Sequence, residues 1–104
     1  MLVAVFLFRK IMKTFKDLDF KKHSIAESGI ERYQDAKQAK ETFKNNYGVS
    51  VIFGNCFYSN GKDTYEVAVL YEGNITYNTE ITDDVLGHLS EEEVSEIMIK
   101  VQSF

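Results

Sequence analysis

The chain has no proline and a single cysteine, Cys56, among its 104 residues. One cysteine excludes an intrachain disulfide framework and suits a reducing compartment. With no proline, repeat or low-complexity stretch, nothing marks a linker, and the length matches one domain of ~100–150 residues. No apolar run approaches the ~20 residues that cross a bilayer, so no membrane association is expected. Arginine is confined to Arg9 and Arg32. A Walker-type loop, a dinucleotide-binding glycine fingerprint, a His-Glu-x-x-His helix and a serine elbow are all missing. Those absences remove the local signatures of the corresponding enzymes, and no cofactor or metal is expected.

The composition that remains is ordinary: 44% hydrophobic and 27% charged, close to the globular averages of ~45–50% and ~25%. Its charge is unevenly placed. Residues 9–44 hold ten basic against six acidic side chains, whereas residues 45–104 hold two basic (Lys62 and Lys100) against ten acidic. The two halves lie in opposite fields within a net charge of −4, an arrangement that bears on association more than on fold.

Residues 1–8 are all apolar and are followed, not preceded, by the basic pair Arg9 and Lys10. A secretory signal leads with its positive charges and ends in a small-residue cleavage site, so secretion is not expected and a cytoplasmic location is. Residues 1–11 read equally as an N-terminal extension ahead of Met12 or as a buried strand, and residues 12–104 as a single α+β domain.

Hydrophobic periodicity predicts the elements. Residues 15–22 alternate loosely and suggest a first strand, followed by a loop over 24–29. Residues 30–44 carry apolar side chains at both helical and strand spacing, which predicts helix for the first half and a strand entering near Gln38. Val49, Val51 and Phe53 line one strand face, with Ser50 and Ile52 on the other. Asn60-Gly61 is a turn signal. Tyr65, Val67, Val69 and Tyr71 then alternate with Glu66, Ala68 and Leu70, before Glu72-Gly73-Asn74 turns the chain into residues 75–78. Strands joined so closely pair antiparallel, because parallel pairing needs a crossover of about a dozen residues.

Residues 82–87 read as a helical turn, with Thr82 as cap and Gly87 as stop. A helix is then predicted from Ser90 onward. Ser90 and Glu93 form a capping box, Leu89 and Val94 a hydrophobic staple, and Glu91, Glu92 and Glu93 complement the helix dipole. Val94, Ile97, Met98 and Val101 make an apolar stripe that Phe104 continues. The fold class expected is α+β, an antiparallel β-meander of about 4–5 strands packed on a C-terminal amphipathic helix.

The segments Tyr47-Gly48-Val49-Ser50-Val51, Tyr65-Glu66-Val67-Ala68-Val69-Leu70 and Ile81-Thr82-Asp83-Asp84-Val85-Leu86-Gly87 resemble a group of small uncharacterised proteins of bacteriophages and bacteria. The resemblance covers roughly residues 12–101. Those proteins usually show Asn-Gly-Tyr-Gly at the first turn, where this chain has Asn45-Asn46-Tyr47-Gly48, and they often carry proline near residues 79–81. The group has no settled activity to transfer. The resemblance implies origin in a mobile element and makes residues 1–11 look like an extension.

Few residues carry chemistry. Cys56 would act as a nucleophile only with a base beside it, and no spacing ties it to His23 or His88. His88 with Asp83 and Asp84 offers too few ligands for a metal site, and a capped turn with solvated acids explains them equally well. An enzyme built on Cys56 and His88 is the least favoured reading. Lys10, Lys13, Lys16, Lys21 and Lys22 interleave with Phe15 and Phe20, as in chains that track phosphates and stack bases. Asp17 and Asp19 interrupt that run. Nucleic-acid binding, or mimicry of nucleic acid by the acidic half, is therefore the alternative.

The preferred expectation is a small non-enzymatic binding module acting as a homodimer or other homo-oligomer. One helix covers only one face of a sheet, so Ile52, Ala68 and Leu70 on the second face need the N-terminal segment or another chain to cover them. That face, with Lys13, Lys16, Lys21 and Lys22, is the candidate partner surface. A host protein or a small signalling molecule as partner, in the sense of countering a host defence, follows by analogy with phage proteins.

Overall fold

β-branched residues at every second position settle the centre of the molecule. The structure, a computed structural model, describes residues 12–54, 59–79 and 85–104. Strands β1 (Lys21–Lys22), β2 (Lys37–Thr42), β3 (Tyr47–Phe53), β4 (Tyr65–Tyr71), β5 (Asn74–Ile75) and β6 (Leu86–Leu89) form one antiparallel sheet. The strand order is β1-β2-β3-β4-β5, and β6 also pairs with β4. Helix α1 (Glu91–Gln102) packs on one face, so the chain is α+β. Residues 1–11, read from sequence as an extension or a strand, lie outside the described residues.

The core sits between that helix and the two central strands. Val49 pairs with Val69 and Val51 with Val67, and none of the four exceeds 1% exposure. Val94, Met98 and Val101 of the helix are fully enclosed against them. Each such side chain contributes about 1.5–3 kcal/mol relative to an exposed one. The helix starts as its sequence directs: the Ser90 hydroxyl accepts the Glu93 N–H at 3.1 Å, and the Glu93 carboxylate accepts the Ser90 N–H at 3.0 Å. At one end of the core, Phe15, Phe20 and Phe53 gather round Tyr65 with ring centroids 4.9, 5.9 and 5.4 Å away.

Three local expectations are corrected. The strand predicted over residues 15–22 survives only as β1; Phe15–Asp17 is a 3-10 turn. There the Asp17 carboxylate accepts the Thr14 N–H at 2.9 Å, and Phe15 and Phe20 both turn toward Tyr65, which a strict alternation would forbid. The helix predicted in the first half of 30–44 is a single 3-10 turn, Glu31–Tyr33. The strand after it begins at Lys37, where expected, because Ala39 pairs with Val51 and is buried at 1% exposure. Of the helical turn predicted over 82–87, residues 82–84 lie outside the described residues, while Leu86 and Gly87 belong to β6. Leu86 reaches the core by pairing opposite Val67. Asn60-Gly61 lies in a turn, as expected. Its Asn60 side-chain oxygen accepts the N–H groups of Lys62, Asp63 and Thr64 at 2.9, 3.0 and 3.2 Å.

The tight hairpins rest on left-handed residues. Glu72 and Gly73, at φ 51° and 85°, make the two-residue β4–β5 turn, the primed type that matches strand twist. In the β2–β3 turn Asn46 stands at φ 69° and donates its N–H to the Phe43 carbonyl at 3.1 Å. Two residues on, a Cβ at Gly48 would lie 2.2 Å from the Glu41 carbonyl oxygen. Gly48→Ala is therefore expected to lower unfolding stability in urea by more than about 2 kcal/mol, since backbone must shift to admit it. Asn46→Gly is expected to raise stability by about 0.5 kcal/mol, because glycine meets no Cβ penalty at positive φ.

Candidate functional site

Pairing register fixes what the second sheet face carries. Gln38, Ile52 and Glu66 form one row across β2, β3 and β4, and Lys40, Ser50 and Ala68 the next. The Gln38 amide donates to the Ser50 hydroxyl at 2.8 Å. Of the candidate partner surface drawn from sequence, Ala68 and Leu70 are buried within the single chain at 5% and 4% exposure, and Ile52 is half-buried. The apolar area of Ala68 and Leu70 is thus removed from water by the chain itself, without a second copy.

The lysines of the same expectation are exposed but lie along the β1 border. The Lys13 ammonium is ion-paired with Glu41. Lys21 stands 3.8 Å from Asp19, Lys22 lies directly opposite Lys37, and Lys16 belongs to the first 3-10 turn. A concavity of about 460 Å³ at this border is lined by Asp19, Lys21, Lys22, Gln38, Lys40 and Glu41.

The His23 Nδ1 accepts the Ile25 N–H at 3.0 Å, and the His23 backbone N–H donates to the Ala36 carbonyl at 2.9 Å. Burial, reinforced by the charge of Lys40, holds the His23 imidazole below its ordinary pKa of 6.5. A second cleft of about 660 Å³ is lined by Arg32, Asp35, Phe53, Asn60 and Lys62 among others. Its Arg32 guanidinium is drawn over the ring of Tyr33, 5.0 Å from the centroid. Charges of both signs alternate round that rim, so no one sign of ligand is favoured.

The opposite border, β5, collects aromatic and aliphatic side chains that sequence reasoning assigned to strand faces or to the core. Tyr71, Ile75, Tyr77 and Phe104 are 43%, 47%, 53% and 37% exposed. Tyr47 joins them: its ring centroid lies 4.7 Å from that of Tyr71 and 5.0 Å from that of Phe104. The sequence signal was the alternation of Tyr71, Ile75 and Tyr77 across a tight turn, in a stretch where Glu72 is the only charge between residues 71 and 79.

Of the residues in the enzyme reading that are named from sequence, His88 is among those described. His88 is exposed in β6 at φ 54°, where the ladder to β4 slips between Tyr65 and Val67. Cys56, Asp83 and Asp84 lie outside the described residues. Among the described residues no group of three or more His, Cys, Asp or Glu could hold a metal, and no helix is long and apolar enough to cross a membrane.

The chain matches no protein-family model, and no curated protein or solved structure matches it significantly.

The environment of His23 sets a pH response. The fold favours the neutral ring while the unfolded chain binds a proton near pH 6.5, so stability is lost as pH falls through that value toward the lower folded pKa. Urea midpoints are expected to drop between about pH 7 and 5. His23→Asn keeps an acceptor for the Ile25 N–H but cannot titrate, and is expected to flatten that drop.

Proposed function

We propose that the chain is a non-enzymatic binding module that works as a homo-oligomer, with a second copy docked on the β5 border of the sheet. The observation that carries this reading is the contrast between the two borders. Lysine-bearing edges repel a copy of themselves and are a usual defence against strand pairing. Among the described residues the β5 border carries no lysine, and it presents Tyr71, Ile75, Tyr77 and Phe104 to solvent. Aromatic side chains of this kind are enriched at the centres of protein interfaces. Ile75 pairs with Leu70 while Tyr71 shares the helix face with Tyr47, so apolar groups flank the edge from both sides. Antiparallel pairing across a two-fold axis would set each group against its own copy.

The setting of this module is read from the resemblance of its strands and turns to phage proteins: a mobile-element product that meets a host protein or small host molecule in the cytoplasm. Light scattering at high micromolar concentration is expected to give about twice the mass of one chain, as closed two-fold association requires. The double variant Ile75→Asp/Tyr77→Ser is expected to return it to the mass of one chain with its far-ultraviolet circular dichroism intact. A wild-type protein that stays monomeric under those conditions contradicts the reading.

A further inference from the structure

The β1 border concentrates positive charge beyond what edge defence requires. Lys22 and Lys37 face each other directly across the ladder, a like-charge pairing that is unfavourable unless something negative lies between. Lys40 is two residues along from Gln38 on the same strand face, and its charge reaches His23 strongly enough to oppose protonation there. The two acids on the rim are already engaged, Glu41 by the Lys13 ammonium and Asp19 by Lys21. No described carboxylate comes within ion-pair distance of Lys22, Lys37 or Lys40. Repelling a neighbouring strand needs charges along an edge; it does not need two lysines opposed or a concavity of about 460 Å³ beside them. That volume falls in the range of small-molecule sites, ~300–1,000 Å³.

We propose that this concavity binds a small phosphate-bearing anion of pyrophosphate to nucleotide size, with Lys22 and Lys40 as its main ligands, Lys21 beside them and Lys37 adding charge from opposite Lys22. Charge-assisted hydrogen bonds from ammonium groups to phosphate oxygens supply the affinity. A nucleic-acid strand is the poorer occupant. Its bases need aromatic platforms, yet Phe15 and Phe20 are turned inward onto Tyr65. Asp17 and Asp19 also stand in the path of a continuous backbone. The site does not depend on self-association, because β1 and β5 lie on opposite borders of the sheet.

The test uses the full chain and two probes, sodium pyrophosphate and a single-stranded oligonucleotide, titrated calorimetrically at low salt. Pyrophosphate is expected to bind saturably, and Lys22→Gln/Lys40→Gln to weaken it about tenfold or more. Lys37→Gln alone should weaken it less, and Lys100→Gln, on the helix, should leave it unchanged. Circular dichroism checks that each variant is folded. The proposal is overturned if pyrophosphate shows no saturable binding up to roughly 10 mM, or if the double variant binds it as tightly as wild type. An oligonucleotide that binds more tightly than pyrophosphate, with affinity falling steeply in salt, overturns it in favour of a nucleic-acid track.

Discussion

Everything in this fold leans on one contact: the stripe Val94, Met98 and Val101 of the helix pressed on Val49, Val51, Val67 and Val69 of the two central strands. Among the described residues it is where helix and sheet exclude water completely, and the remaining pieces are fastened to its two partners. The N-terminal segment is tied to the helix by hydrogen bonds from the Lys13 N–H to Gln102 at 2.9 Å and from the Phe15 N–H to the Ser95 hydroxyl at 3.0 Å. The β2–β3 turn is tied to the helix's C-terminal end, where the Asn45 amide donates to the Val101 carbonyl at 2.8 Å. Polar ties of this sort contribute about 0.5–1.5 kcal/mol each, so they orient the periphery while the apolar contact holds it. Loss of the stripe would release all of them together.

What could be read in advance follows from how far each signal reaches along the chain. The alternation in β3 and β4 and the Ser90–Glu93 box are local, and local rules settle them. Residues 15–36 obey no single period, because their apolar side chains serve contacts made far away: Phe15 and Phe20 close over Tyr65, and Ala36 is buried beside turns rather than on a helix face. The burial of Ala68 and Leu70 was equally beyond a pattern argument. Alternation says which residues share a face, and only the tertiary structure says whether that face is covered. Phe104 illustrates the converse. It falls on the helical stripe by spacing, yet it lies past the last helical residue and rests edge-on against Tyr47 with more than a third of its surface exposed.

The first turn shows how a departure from a sequence pattern is accommodated. Glycine is the residue that left-handed turn positions favour most, and the second turn position here is held by Asn46. The backbone there is left-handed at φ 69°, and asparagine is the side chain that tolerates this conformation best after glycine. Gly48 has no such substitute. It faces Thr42 across the ladder, and the Glu41 carbonyl occupies the space a side chain would need. The two positions look alike in sequence but answer to different constraints, torsional at Asn46 and steric at Gly48.

Strand order turns an asymmetry of sequence into one of space. The basic first half supplies β1 and β2, and therefore one border; the uncharged stretch after Glu72 supplies β5, and therefore the other. Three of the ten acidic side chains of the second half, Glu91, Glu92 and Glu93, stand at the start of the helix, where they meet its positive pole and are favourable irrespective of any partner. Among the described residues, one border is thereby rich in lysine and the other in exposed apolar side chains. Two chains joined at β5 would continue into one sheet with a lysine border at each far end. The copies would then associate without bringing their like-charged edges together, which is the condition under which one surface can hold a partner while the other stays open to an anion.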